Sequence, residues 1–465
     1  MGENAGAMRL ALRILFWLPL ALIAWTQLGY AAALAAADGL KRVGRRRSGT
    51  PGQGYADPPG RPPADPPGRS AAEPTPNRPL PRVTLIVAAH DEQASIAAKV
   101  ANARALDYPG ELLEVIVACD GCADATAEMA RDAGADLVLD LPRGGKIRAQ
   151  DAAVARSSGE VVAFSDANAL WEPAALRPLV AAFDDPAVGY ACGQMGFDEL
   201  DPLHPGPPAA RTNQEGLYWR YELAVRRLES RLSSITAGNG AIYATRRESY
   251  LVVDPIMGHD LSFPFQMVKR GWRAVYVPQA RSVERMVPSL EGESARKRRM
   301  MAHTWPILLR GGMLSPRGYP PGYALMILSH RLLRYATPFL HLLALLANLG
   351  LVARRDTPRR GPRRLYDLAL AAQLALLAAA GLGGVVRSRP LLLARYYVLT
   401  TAALALGLWD WLRHGTDASW EAAEGTRPAE TATPGETATP GETAGVAGPT
   451  GPASTISDTG DPLAP

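Results

Sequence analysis

The stretch that most constrains the fold is an apolar run that ends in an acidic residue, VVAFSDAN at residues 161–168. An uninterrupted apolar run predicts a strand buried on both faces, as in a parallel sheet covered by helices. Asp166 would then lie at the carboxyl edge of the sheet, where open α/β folds bind ligands. Asp166 and Asn168 are oxygen ligands that suit a hard divalent cation. Because strand-end aspartates also cap turns, this pair alone does not define a site.

A second strand of the same kind precedes it, LLEVIVACDGCADAT at residues 112–126. It runs into Asp120 and then turns towards a helix through Gly121 and Asp124. From Arg82 to about residue 287, strand-like runs alternate with helical ones. This alternation predicts one soluble α/β domain with two acidic strand ends.

The flanks of this domain divide the chain further. Residues 14–37 are apolar and long enough to span a bilayer, and the basic run that follows favours a cytosolic side for the next domain. A cleaved signal peptide is the alternative, and we favour a retained anchor. The predicted parts are an N-terminal transmembrane anchor with a basic flank (1–47), a Pro/Gly-rich linker (48–80), a cytosolic α/β domain (81–315), interfacial and transmembrane helices (316–415) and a disordered tail (416–465).

The apolar segments after the α/β domain leave the topology open. Residues 323–336 carry a basic interruption and suit an interfacial helix, with a core helix as the alternative. Membrane-span candidates follow at 338–352, 365–386 and 391–409. The basic loop 354–364 should be cytoplasmic, which conflicts with a single crossing before it. A hairpin within 322–352 or a basic external loop would remove that conflict.

The net charge and the cysteines limit the kinds of partner and metal site that the sequence predicts. The net charge is +5, and basic residues cluster beside apolar segments, which indicates membrane surfaces and not nucleic acid. Cys119 and Cys122 have the spacing of half a zinc site, but the sequence has no second Cys or His pair to complete it. We therefore interpret them as small buried residues in a reducing compartment.

The order of several motifs resembles that of membrane-bound family 2 glycosyltransferases of the cellulose-synthase-like branch. The resemblance runs from about Val83 to Trp305. It implies an α/β fold of the GT-A type, a Rossmann-like nucleotide-diphospho-sugar transferase domain with flanking transmembrane helices. The motifs are VTLIVAAHDE, VIVACDGCADAT, GGKIRAQDAAVARSSGEVVAFSDAN, GNGAIYATRR, GHDLSFPFQMVKRGWRAVYVPQA and ARKRR.

The resemblance implies a set of donor-binding residues. Glu92 would lie near the nucleotide, and Asp120 would accept hydrogen bonds from the base or ribose. Lys146 would offset phosphate charge. Asp166 and Asn168 take the place of the metal motif, and Mg²⁺ or Mn²⁺ there would stabilise the leaving diphosphate. Because Asn168 supplies only a neutral oxygen, we expect metal binding to depend on the donor.

It also implies residues on the acceptor side. Asp260 stands where the family has its general base, and a single base without a covalent step implies inversion at the anomeric carbon. His259 replaces an acid beside it and could orient Asp260 or change its basicity. Gly238, Asn239 and Gly240 would form an acceptor wall.

The basic run before the membrane, residues 296–299, departs from the family pattern. Arg299 keeps the arginine that would face the diphosphate, and we include Arg296 with it as a donor-binding residue. The Gln and Trp of the polymer-forming enzymes are absent, which argues against a long processive polymer. Binding of lipid headgroups is the alternative role for this basic run.

The predicted function is that of a membrane-anchored inverting glycosyltransferase. It would move a sugar from a nucleoside-diphosphate donor, a UDP-sugar, to an envelope glycan or lipid-linked acceptor. We expect a multi-pass protein of the plasma membrane with its catalytic domain in the cytosol. The alternative is a non-catalytic membrane scaffold, supported by the departures at Asp91 (Asn in the family), Asn168 and His259. A sugar-nucleotide pyrophosphorylase is disfavoured, because no Gly-rich Arg/Lys loop follows the first strand.

Overall fold

The computed structural model describes residues 2–48, 79–197, 213–284, 290–353, 362–386 and 388–418. Residues 1–428 form one compact unit, and the second unit, 429–465, lies outside the described residues. Nearly all of the expected linker (48–80) and most of the expected tail (416–465) also lie outside them.

One mixed sheet of eight strands forms the centre of the described chain. Its spatial order is β3-β2-β1-β4-β7-β6-β8-β5. Strands β1 to β4 run parallel to one another, whereas β7 is antiparallel to both of its neighbours. The strands are β1 Val83–Ala89, β2 Leu113–Asp120, β3 Leu137–Leu141, β4 Val161–Asp166, β5 Leu170–Trp171, β6 Val188–Phe197, β7 Tyr243–Arg246 and β8 Arg273–Glu284.

Strand β1 sets the edge at which the site forms. It pairs in parallel with β2 on one side and with β4 on the other. Ala89 lies level with Cys119, and Ala88 lies level with Asp166. Asp120 and Asp166 therefore end their strands at the same edge, on either side of β1. The chain order reverses between β1 and β4, the position at which doubly wound sheets open a crevice for ligands.

Helices cover both faces of the sheet and continue beyond it. Alternate residues of the central strands enter different apolar clusters, Leu85 on one side and Ile86 on the other. This two-sided burial explains the continuous apolar runs in the sequence. The helices are α1 Gly2–Ala24, α2 Tyr30–Ser48, α3 Ile96–Arg104, α4 Thr126–Asp132, α5 Lys146–Arg156, α6 Leu176–Ala181, α7 Asn213–Leu232, α8 His259–Lys269, α9 Leu290–Leu309, α10 Pro321–Met326, α11 Leu333–Ala353, α12 Pro362–Leu382 and α13 Arg389–His414.

Four of the described helices are long and apolar enough to cross a membrane, at residues 6–44, 321–353, 364–382 and 389–414. The first joins α1 to α2 through a π-turn at Trp25–Gly29, and the second joins α10 to α11 through another at Ile327–Leu332. The helix 321–353 continues through Pro338. The hairpin considered within 322–352 is therefore wrong, and the helix that contains the span candidate 338–352 begins before Pro338.

A buried ionic cluster joins α7 to this long helix. Glu222 forms an ion pair with Arg334, and its other oxygen lies 3.3 Å from Arg331 Nη2. Glu229 Oε1 lies 2.7 Å from His330 Nδ1. Burial alone would raise the pKa of Glu222, but His330 and Arg334 hold it well below its usual range. The basic interruption thus finds carboxylate partners inside the protein.

Removal of Glu222 tests how much the cluster stabilises the fold. Glu222→Ala leaves two guanidinium groups buried without this partner, so we expect a loss of about 3–5 kcal/mol. Thermal melting of the purified chain in detergent micelles measures it. Glu248→Ala, at an exposed glutamate, is the matched control and should change stability by less than about 0.5 kcal/mol. Equal melting temperatures for the two variants would contradict the prediction.

Candidate active site

The turn before α5 is held by a strand-end carboxylate. Asp120 is 1% exposed, and its Oδ1 accepts hydrogen bonds from the Gly144 and Gly145 N–H groups at 2.6 and 2.9 Å. Arg143 Nη1 lies 3.7 Å from Oδ2. Gly145 has a φ of +96°, a backbone conformation that L side chains rarely adopt. Asp120 therefore fixes the turn from which Lys146 begins α5, a role that the sequence did not indicate. Its contact with a base or ribose remains a prediction.

Lys146 and Asp166 meet at the sheet edge. The Lys146 ammonium forms an ion pair with Asp166 Oδ1. Burial disfavours the charged ammonium, but the carboxylates around it outweigh this effect, and the pKa of Lys146 is raised. A Cβ atom on Gly240 would lie 3.3 Å from Lys146 Nζ and 3.4 Å from Asp166 Oδ2. Gly240 therefore packs against this ion pair, and a side chain there would press on both groups.

Asp260 faces the same pair from the first turn of α8. Its backbone carbonyl accepts the Gly238 N–H at 2.6 Å, which ties the helix start to the segment before β7. Burial raises the pKa of the Asp260 carboxyl, Lys146 lowers it, and Asp166 raises it, with a net upward shift. The structure therefore brings Lys146, Asp166 and Asp260 into one electrostatic group.

His259, next to Asp260, turns into the aromatic core. It stacks on Phe263 with ring centroids 4.0 Å apart, and its Nδ1 lies 2.8 Å from the Tyr243 hydroxyl. Burial, with a smaller contribution from Lys146, lowers the pKa of His259 to about 3, so the ring is neutral at physiological pH. Within the described residues it makes no hydrogen bond to the Asp260 carboxylate. His259 thus packs the core behind the helix start.

Two charged residues that the sequence analysis missed complete the group. Glu284 ends β8; burial and Asp166 raise its pKa to about 7. Lys99 is fully buried, donates a hydrogen bond to the Ala169 carbonyl at 2.6 Å and lies 5.3 Å from the centre of the Trp171 ring. Burial lowers the pKa of Lys99 to about 7. An acidic strand end, the signal that identified Asp166, would also have identified Glu284.

Two predicted site residues have structural roles. The Glu92 carboxylate accepts the Ser95 hydroxyl at 2.7 Å, one turn ahead in the entry to α3. The Asn239 amide donates to the Gly193 carbonyl at 2.8 Å, and its oxygen accepts the Ile242 N–H at 2.9 Å. These hydrogen bonds fix the chain at the entry to α3 and in the segment before β7. Contacts of Glu92 with a nucleotide and of Asn239 with an acceptor remain predictions.

The remaining predicted residues lie at the margin of the candidate active site. Arg296 is close enough to Glu284 to lower its pKa, so this member of the basic run belongs to the electrostatic group. Arg299 is exposed on the same helix, and Asn168 is half-buried beyond β4. None of the described site contacts includes either residue, and their roles remain predictions.

The chain that follows α13 returns to the turn before α5. The Thr416 hydroxyl donates to the Ala302 carbonyl at 2.8 Å. A Cβ atom on Gly145 would lie 2.2 Å from the Ala418 carbonyl oxygen. Ala418 therefore packs on Gly145, whose N–H, like that of Gly144, donates to Asp120.

Known proteins resemble this chain over its α/β domain. The family model described as glycosyltransferase like family 2 matches residues 81–302. An N-acetylglucosaminyltransferase of Rhizobium meliloti (strain 1021) is 30% identical over 222 residues, 44% of this chain and 51% of that protein. Another, from Rhizobium leguminosarum bv. trifolii, is 33% identical over 125 residues, 25% of this chain and 68% of that protein. The chain thus spans about half the length of the first of these relatives.

A solved structure shows the same fold. It is a mannosyltransferase from Pyrobaculum calidifontis, solved in complex with GDP-Man and Mn²⁺, with a TM-score of 0.58 and 23% identity. The match covers 86% of this chain and 99% of that chain. The fold is therefore that of a GT-A glycosyltransferase with flanking apolar helices. With the matched family model and the curated relatives, this establishes that the chain belongs to glycosyltransferase family 2.

Proposed function

We propose that the chain is a membrane-anchored inverting glycosyltransferase that moves a sugar from a UDP-sugar to an envelope glycan or lipid-linked acceptor. One observation carries the proposal: the Asp260 carboxyl, with a raised pKa, lies beside the Lys146–Asp166 ion pair at the carboxyl edge of the sheet. A base and a site for a leaving diphosphate are the two parts that a direct displacement needs.

The donor side is supported by the groups around the turn before α5. The Lys146 ammonium offsets the negative charge of a diphosphate. Asp166 and Glu284 provide carboxylate oxygens, the ligands that Mg²⁺ and Mn²⁺ take in proteins. Like charges raise the pKa of Glu284, so a cation between them would relieve repulsion. When bound, such a metal would stabilise the charge that develops on the leaving diphosphate.

The acceptor side is assigned to Asp260. Its carboxylate takes the proton of the acceptor hydroxyl while that oxygen forms a bond to the anomeric carbon. The bond from that carbon to the diphosphate oxygen breaks in the same step, and its electron pair leaves with the nucleoside diphosphate. Attack from the face opposite the leaving group inverts the configuration. A raised pKa suits this base, because it increases the proton affinity of the carboxylate.

The donor sugar and the location are further parts of the proposal. The curated relatives named N-acetylglucosaminyltransferases make UDP-N-acetylglucosamine the first donor to test. The four apolar helices support a multi-pass protein, which we assign to the plasma membrane with the sheet domain in the cytosol, where nucleotide sugars are available.

Replacement of the base should separate chemistry from binding. Asp260→Asn removes the proton acceptor, so we expect turnover of the donor sugar to fall by about 10²–10⁴-fold with donor binding retained. Sugar transfer is measured with the full chain in detergent or lipid nanodiscs, and donor binding by thermal shift. Asp254→Asn, at an exposed aspartate six residues earlier, is the matched control and should keep most of its activity. Full activity of Asp260→Asn would contradict the assignment.

The pH dependence follows from the same carboxyl. Only ionised Asp260 accepts a proton, so kcat/KM should fall as the pH drops through its raised pKa, above the value of about 3.9 of a free aspartate. Glu284, with a pKa of about 7, titrates nearby. The acid limb should therefore persist in Glu284→Gln. A profile that stays flat down to about pH 4, in protein that thermal melting shows to be folded, would exclude Asp260 as the base.

Donor binding should depend on Asp166. Thermal-shift titration of UDP-N-acetylglucosamine, UDP-glucose and GDP-mannose, each with and without Mn²⁺, should show one donor that raises the melting temperature more strongly with metal. A ligand at 100 times its Kd stabilises by about 2.7 kcal/mol. Asp166→Asn should remove the metal-dependent part of the shift, whereas Asp140→Asn, at an exposed site on β3, should retain it. Failure of every donor to bind or react would favour the non-catalytic scaffold.

A further inference from the structure

The loops after β1 and β2 bring together three different metal-ligating side chains. His90 and Asp91 follow β1, and Cys122 follows β2. One ligand atom from each of them lies within 4.8 Å of the other two. The parallel pairing of Ala89 with Cys119 is the cause, because it makes both strands end at the same level. Cys122, one of the two cysteines noted in the sequence, thus acquires partners from the end of the neighbouring strand.

The surrounding backbone orients these ligand atoms. The His90 Nδ1 lies 2.9 Å from the Asp120 carbonyl oxygen, so the N–H is on Nδ1 and the lone pair is on Nε2. Asp91 Oδ1 accepts the Ala123 N–H at 2.7 Å, and Oδ2 lies 3.5 Å from His90 Nε2. In metal sites, a histidine ligand commonly donates its other N–H to a backbone carbonyl, which fixes the ring and its tautomer. The same arrangement is found here.

The backbone at Asp91 supports a ligating role. Among the described residues it is the one non-glycine with a positive φ, +50°. Strained backbone of this kind is often found at functional sites. Here it directs the carboxylate back towards the loop after β2, where Oδ1 bonds to Ala123. Asp91 supplies the anionic oxygen of the group.

We propose that His90 Nε2, Asp91 Oδ2 and Cys122 Sγ bind a zinc ion, a site separate from the divalent metal assigned to Asp166. A thiolate, an imidazole and a carboxylate suit Zn²⁺ and disfavour Mg²⁺ or Mn²⁺, which prefer all-oxygen sites. Ligand atoms at about 2.0–2.3 Å from zinc lie roughly 3.5 Å apart, so small side-chain rotations complete the site. The fourth position of the tetrahedral ion is left for water or another donor.

Binding of zinc at this site would release one proton. The Cys122 thiol lies 3.6 Å from the Ala89 carbonyl oxygen and donates to it. When zinc binds, that proton is released to solvent and a zinc–thiolate bond forms, without any change in oxidation state. A zinc ion there would link two loops, the one that leads to Glu92 and the one that follows Asp120.

Cobalt binding tests the site independently of sugar transfer. The purified full chain, stripped with a chelator, is titrated with Co²⁺ alone. We expect one equivalent to give a sulfur-to-cobalt charge-transfer band, which Zn²⁺ then removes, and Zn²⁺ should raise the melting temperature. Cys122→Ser should abolish the band. Absence of the band in the unaltered chain, or its survival in Cys122→Ser, would overturn the proposal.

Further variants distinguish a loss of zinc binding from a folding defect and from an effect on the divalent metal assigned to Asp166. Cys192→Ser, the same change at a buried cysteine, and Asp166→Asn should both keep the band. If Cys122→Ser does not melt cooperatively, His90→Gln and Asp91→Asn decide the question. Each should weaken Zn²⁺ binding by about tenfold or more, a loss produced even by removal of outer partners of metal ligands. Unchanged affinity in both variants would overturn the proposal.

Discussion

The parallel pairing of β1 with strands on both sides is the constraint on which the rest of the structure depends. Hydrogen bonding fixes Ala88 level with Asp166 and Ala89 level with Cys119, so the strand ends have no freedom to slide. A shift of one residue would turn every side chain of a strand to the other face of the sheet. Burial on both faces makes such a shift costly. Precise placement of charged groups at the edge is therefore a consequence of the apolar core.

The carboxyl groups at that edge lie in different electrostatic environments, and their pKa values differ as a result. Asp166 forms an ion pair with Lys146. Asp260 and Glu284 are influenced by the same lysine, yet burial and the charge on Asp166 outweigh it and raise their pKa values. When the environments of neighbouring carboxyl groups differ in this way, one can act as a ligand and another as a base. Burial and neighbouring charges together thus set these carboxyl groups apart, as the proposed roles of metal ligand and base require.

Residues adjacent in the sequence were easier to interpret than residues that meet only in space. Apolar runs ending in Asp120 and Asp166 predicted the sheet edge, because strand burial leaves a clear local pattern. The proximity of His90 to Cys122 could not be predicted, since it depends on the pairing of two strands 30 residues apart. Local hydropathy could not show which groups the basic residues of the segment 323–336 contact. Their carboxylate partners come from α7, 101–112 residues earlier.

The buried ionic cluster also connects the apolar helices to Asp260. Glu229, which contacts His330, accepts the Thr236 N–H at 3.0 Å. Two residues later, the Gly238 N–H donates to the Asp260 carbonyl. Because His330, Glu229 and Thr236 are buried, a displacement of the helix 321–353 would be passed on to the segment before β7 and not absorbed by solvent. The position of Asp260 over the sheet edge is therefore set by the apolar helices as well as by the sheet.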